Sequence, residues 1–184
     1  AATDVHHEMA AFLAWWERTR RGSEQAIDGL LRAGIGHVWF ETIHPFEDGN
    51  GRLGRALIDL ALAQDIEGPQ RYCSLSQQLM AHRGAYYDAL NAAQRGSTDV
   101  TEWLAFFLEQ FCLASAAAQT AVDAAIQRSR FWAAHADHPT NARQRKVLQR
   151  MLDAGRGGFE GGMSTEKYAR LAPTTKVTAS RDLI

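Results

Sequence analysis

Apolar residues recur at three- and four-residue spacing along almost the whole chain, a pattern that predicts one helix after another. Met9, Phe12, Leu13 and Trp16 mark an amphipathic helix over 4–21. Arg20, Arg21 and Gly22 end it, with cations near its C-terminus and a glycine just beyond. Ser23 stands where an N-cap is expected, ahead of a stripe running from Ile27 through Leu30, Leu31, Ile35, Val38 and Trp39 to Ile43. Gly34 and Gly36 are poor helix formers within that stripe, which predicts close approach of a neighbouring helix. Pro45 stops it, because the residue before a proline disfavours the α region. A further helix is expected from about 50 to 64, then a turn at Gly68-Pro69. Ser74 with Gln77 reads as a capping box for a helix over 75–95, which Gly96-Ser97 breaks. Asp99 with Glu102 opens a long helix to about 134, rich in aromatic residues early (Trp103, Phe106, Phe107, Phe111) and in alanine later.

Asp137-His138-Pro139 is the expected boundary between a body over 1–136, including the long connecting helix, and a smaller one over 137–184. The second body has three short helical patterns. Asn141 with Gln144 opens the first, Ser164 the second and Pro173-Thr174 the third, and a glycine-rich loop over 155–162 separates the first two. There is no strand pattern and no internal repeat. The fold class is all-α.

Composition changes this picture little. Apolar residues make up 46% of the 184 and charged residues 22%, as in an ordinary globular protein. No apolar run suits a membrane span, and the start of the chain has neither a signal-peptide pattern nor an initiator Met. A cytoplasmic chain cut from something longer is expected. Cys73 and Cys112 are too few for a disulfide framework and read as two buried thiols. His37, on an apolar helix face, reads as a satisfied core histidine. His6-His7 and the pair His135 and His138 read as solvated rather than metal-binding. Charge matters more. Residues 140–184 carry a net +5 and residues 1–139 a net −6, which suggests two bodies with different partners.

The chemistry concentrates in one run, His44-Pro45-Phe46-Glu47-Asp48-Gly49-Asn50-Gly51-Arg52-Leu53-Gly54-Arg55, which leads into a helical apolar pattern. A loop feeding a helix N-terminus is a ready phosphate site. Gly49 and Gly51 let backbone N–H groups approach an anion, and Asn50 adds an amide. Arg52 and Arg55 lie three apart on one helix face, where two guanidinium groups suit a di- or triphosphate. Asp48 beside them makes sense if Mg²⁺ bridges it to phosphate oxygens. His44 is the one imidazole in the cluster, and imidazole suits proton abstraction from a hydroxyl. Together these residues suit attack by a hydroxyl on a bound phosphorus, promoted by positioning and charge.

The run matches without a gap the HPFx(D/E)GNGRxxR signature of the Fic (Fido) family, and the preceding residues 36–43 resemble the helix that leads into it. The resemblance covers roughly residues 4–115 and implies an all-helical bundle that transfers AMP from ATP to a Ser, Thr or Tyr hydroxyl of a target protein. It implies His44 as general base, Asn50 as a further catalytic residue, Phe46 as a core anchor of the loop and Asp48 as the Mg²⁺ ligand. Gly49, Asn50, Gly51, Arg52 and Arg55 would hold the phosphates, with Arg55 on the γ-phosphate. Tyr86, Tyr87 and Gln94 correspond to positions near the adenine, although periodicity alone places one tyrosine in the core and the other on the surface. The family's substrate-positioning flap and its inhibitory (S/T)xxxE(G/N) helix are not found in these residues, and both are expected upstream of Ala1.

The alternatives within this chemistry are transfer of UMP, phosphocholine or a phosphoryl group. The basic segment 140–184 resembles a truncated winged-helix module without its wing. That resemblance implies possible DNA contact, and a DNA-binding regulator using the helical core as a nucleotide sensor is the alternative from another class.

Overall fold

The computed structural model describes residues 2–66, 73–96, 98–155, 159 and 161–184. Among them are nine α-helices and no strand. The Gly68-Pro69 turn, Ser97 and much of the glycine-rich loop lie outside the described residues. The chain divides into two compact units, Ala1–Ala118 and Gln119–Ile184, so the division falls inside the long helix, upstream of Asp137-His138-Pro139.

The first unit contains α1 (Ala2–Arg18), α2 (Gly29–Ile43), α3 (Asn50–Ile66), α4 (Leu75–Ala81), α5 (Arg83–Arg95) and the first half of α6 (Thr101–Ala134). Its core joins Phe12, Trp15 and Trp16 of α1 to Val38 and Phe40 of α2, Ile58 and Ala61 of α3, Leu79 of α4, Tyr86 and Leu90 of α5, and Trp103 and Phe107 of α6. Gly34 and Gly36 of α2 serve close packing, as expected. A Cβ at Gly34 would stand 2.8 Å from Leu104, and one at Gly36 would stand 2.7 Å from the ring of Trp16. Trp103 also donates its indole N–H to the Gly34 carbonyl at 2.8 Å, tying α6 to α2. The buried Arg32 lies over the Trp16 ring at 4.0 Å and donates to the Trp16 carbonyl (2.8 Å) and to Gln64 (2.9 Å), so one cation joins α1, α2 and α3.

Several local expectations are corrected. Ser23 does not cap α2; its hydroxyl donates to the carbonyls of Arg18 and Arg20 and closes the turn after α1. Asp28, which directly precedes the first helical residue, is the cap and accepts from Leu30 and Leu31 at 3.0 and 3.2 Å. The helix expected over 75–95 breaks at His82, which leaves helical geometry (φ −108°, ψ 41°); nearby Gly84 is the local signal. Cys112 is exposed and Cys73 half-buried, so they are not the expected pair of buried thiols.

The second unit contains the rest of α6, with α7 (Ala142–Ala154), α8 (Thr165–Leu171) and α9 (Lys176–Asp182). Its small core is Val147, Tyr168, Ala172 and Ala179, backed by Met151, Met163 and Leu171. The capping box of Asn141 and Gln144 forms as expected, and Ser164 and Thr175 cap α8 and α9. Asp182 accepts from Arg143 (2.7 Å), Tyr168 (2.9 Å) and Asn141 (2.9 Å), which fastens the end of α9 to α7 and α8. Hydrogen bonding to Arg143 holds its carboxyl down at about 2. Two bases of this positively charged segment are therefore paired, Arg143 with Asp182 and Lys176 with Glu166. Among the described residues, no helix is long and apolar enough to cross a membrane.

Candidate functional site

The site begins where α2 ends. Pro45 bars His44 from continuing the helix. His44 takes the left-handed conformation (φ 48°, ψ 58°) while its N–H still donates to the Phe40 carbonyl at 3.0 Å. It is the one non-glycine residue with positive φ among those described. Such geometry costs about 1–2 kcal/mol for a residue with a Cβ, a strain that places the exposed imidazole at the mouth of the loop.

Asn50 closes the loop from within. It is buried, its Oδ1 accepts the Phe46 N–H at 3.0 Å, and its Nδ2 donates to the Phe46 carbonyl. Its amide thus serves the loop backbone in this structure. The Phe46 ring lies tilted toward Phe40 but is 49% exposed, so the loop is anchored by Asn50 more than by the phenyl ring. Gly49, at φ 88°, makes the turn that only glycine takes freely, and its carbonyl accepts the N–H groups of Arg52 and Leu53 as α3 starts. The remaining orphan N–H groups of the first turn open toward the loop, with the positive end of the helix dipole.

Both arginines flank that opening. Arg52 pairs with Asp48 at 3.1 Å, both well exposed. Arg55 lies along the first turn of α3, where a Cβ on Gly51 would come within 3.2 Å of its Nη1. The structure thus gathers His44, Asp48, Gly49, Asn50, Gly51, Arg52 and Arg55 in one loop and helix start. Tyr86 approaches from beneath. It is buried, its hydroxyl meets His37 Nε2 at 2.9 Å, and the charge of Arg55 acts on it. Tyr87 is 38% exposed, under the Arg83 guanidinium (5.4 Å). Gln94, half-buried two turns on, shares the Tyr87 face of α5. Core and surface tyrosines therefore alternate as periodicity indicates.

Sequence reasoning passed over Glu41. It is an acid inside the apolar α2, one turn after His37 and three residues before His44, and that placement was its only signal. It is 7% exposed, and burial pushes its carboxyl up against the opposing fields of His44 and Arg55. Its Oε1 and the Nδ1 of His37 are buried without hydrogen-bond partners, and both crowd Gly54 of α3. A Cβ at Gly54 would press on Glu41 and stand 3.0 Å from His37.

Burial lowers His37 to about 4, from an ordinary 6.5. Between those values the unfolded chain binds a proton that the folded unit refuses. Stability should therefore fall as pH drops below 6.5, and this group's contribution should level off near 4. The loss amounts to roughly 3 kcal/mol at 1.36 kcal/mol per pH unit. Glu41, raised by burial, slopes the other way, since its contribution is present in acid and lost as pH rises. Urea unfolding between pH 7 and 4 reads the net slope, and His37→Gln should remove the acid-side loss. An unchanged slope in that variant assigns it to other groups.

Residues 1–62 match the model of the Fic/DOC family. The matched stretch contains the whole His44–Arg55 run. The chain is also similar to a probable protein adenylyltransferase of Aquifex aeolicus, with 37% identity over 82 residues. That alignment takes in 45% of this chain and 23% of the relative, so the chain spans about a quarter of the relative's length.

Proposed function

We propose that the first unit transfers AMP from ATP to a Ser, Thr or Tyr hydroxyl of a protein. The observation that carries this reading is the opposition of His44, strained at the end of α2, to the amide and arginine cluster at the start of α3. The target hydroxyl attacks the α-phosphorus. A P–O bond forms to the target, the bond to the β-phosphate oxygen breaks, His44 takes the hydroxyl proton, and pyrophosphate leaves. The Gly49–Gly51 backbone and the α3 N-terminus hold phosphate oxygens, while Arg52 and Arg55 balance the charge on the leaving pyrophosphate. The outer face of α5, with Tyr87 and Gln94, supports the adenine, and Tyr86 stands behind it.

Asp48 suits Mg²⁺ that arrives with the nucleotide. Its side chain is 92% exposed and pairs with Arg52 at 3.1 Å. Among the described residues, no group of three or more His, Cys, Asp or Glu could cage a metal without phosphate. When bound, the ion would neutralise phosphate charge, as Mg²⁺ does on one or two carboxylates plus substrate oxygens.

The test is incubation of the protein with candidate targets and ATP labelled either at the α- or at the γ-phosphate. Label should reach the target from the α-position only. Transfer from the γ-position means phosphoryl transfer, preference for UTP means uridylylation, and no transfer from any donor removes the reading.

A further inference from the structure

Beneath the phosphate loop lies a buried polar rank that neither loop nor core requires. His37 and Glu41 stand one turn apart on α2, Tyr86 reaches in from α5, and Arg55 lies over them from α3. His37 Nε2 meets the Tyr86 hydroxyl at 2.9 Å, and the charge of Arg55 acts on that hydroxyl. The point where a Gly51 Cβ would stand is 3.2 Å from Arg55 Nη1 and 3.9 Å from Glu41 Oε1, so guanidinium and carboxylate flank the same backbone turn. An acid buried in an apolar helix with an unpartnered oxygen is costly. The nearest compensation is a positive charge held close by. Arg55 and His44 are the charges whose fields act on Glu41. Arg52, by contrast, is exposed and paired outward with Asp48, so the two motif arginines are held by different means.

We infer that Glu41 is a positioning residue. From beneath α3 its charge, across the Gly51 turn, holds the Arg55 guanidinium at the mouth of the phosphate site, with the bonded pair of Tyr86 and His37 beside it. The inference deepens the proposed function, because it matters to catalysis only if Arg55 meets the distal phosphates. A preset guanidinium meets a triphosphate without first having to be ordered, whereas a free one loses that advantage. Glu41 therefore governs discrimination between ATP and AMP rather than affinity for the nucleoside.

Two measurements on wild-type protein and Glu41→Gln separate this inference from the reading beneath it. The first needs no nucleotide. The Nε–H resonance of Arg55 should report an ordered side chain in the wild type and one as mobile as Arg52 in the variant. The second is calorimetric binding of Mg-ATP and of AMP. ATP affinity should drop about tenfold in E41Q, a loss worth about 1.4 kcal/mol, while AMP affinity stays level. In an Arg55→Ala background the E41Q change should have no further effect on ATP, because the two residues act as one unit. A general packing role would instead weaken both nucleotides and persist in that background. An Arg55 signal equally ordered in E41Q overturns the inference, as does tighter ATP binding. If Arg55 loses order but no form binds ATP, the positioning role stands and the nucleotide reading falls. Should E41Q not fold, Glu41→Asp keeps the charge but withdraws it by one methylene. Arg55 order should then be intermediate, and unchanged order again overturns the inference.

Discussion

Replacing His44 with alanine should slow the proposed AMP transfer by about 10²- to 10⁴-fold, the usual worth of a positioned general base, and leave ATP affinity nearly unchanged. The separation is expected because the imidazole stands at the end of α2, while the proposed phosphate-binding groups all belong to the loop and α3. The substitution touches little else. His44 is exposed, and the bond that ends the helix comes from its backbone N–H to Phe40. The left-handed backbone is the complication, since alanine adopts it no more readily than histidine does. Asparagine tolerates that region better, so His44→Asn keeps the loop while removing the base. Single-turnover transfer with α-labelled ATP, paired with calorimetric ATP binding, reads both variants. If both lose rate and keep affinity, the role is proton transfer. A loss confined to alanine points to loop geometry, and wild-type rates in both exclude His44 as the base.

The loop was legible in the sequence because its chemistry is local. His44, Pro45, Gly49, Asn50 and the two arginines are contiguous, and each acts within a turn or two of its own backbone. The helix starts at Ser74, Asn141 and Ser164 were legible for the same reason, as capping is a contact over three residues. Ser23 shows the limit of that rule. A serine before an apolar run can equally close the preceding turn, and Asp28, five residues on, takes the cap. What the sequence concealed is the underside of the site. His37, Glu41, Gly54, Arg55 and Tyr86 come from three helices, and only the packing of α2 against α3 and α5 brings them together. Gly54 falls at an unspecified position of the signature, but it is the position that lets the two helices meet over Glu41. Asn50 read as an anion donor, whereas its amide is engaged with the Phe46 backbone, a contact that spacing alone could not distinguish.

That underside depends on Trp103, whose loss should be the most destabilising single change in the first unit. Trp103→Ala should cost about 3–5 kcal/mol, the range for deleting a buried large aromatic side chain. The indole is 1% exposed, stacks on His37 (centroids 5.8 Å apart) and packs against Phe107 (5.7 Å) and Tyr86 (6.3 Å). Its N–H to the Gly34 carbonyl adds a second effect, because removing the donor leaves a buried acceptor unmatched, at about 1–3 kcal/mol. Trp103→Phe keeps most of the packing and loses that bond, so the difference between the variants separates cavity from hydrogen bond. Against a total of about 5–15 kcal/mol for a typical domain, the alanine variant gives up a large share of the stability. Urea midpoints for the first unit's transition measure it, and a cost below that of the phenylalanine variant contradicts the packing described. The effect should also reach the site. With the indole gone, His37 loses the ring it stacks on, Tyr86 loses a neighbour, and the support under Arg55 loosens. At temperatures where the variant remains folded, ATP affinity should fall while AMP affinity is kept, the same signature expected of Glu41→Gln from a residue that lies one layer deeper.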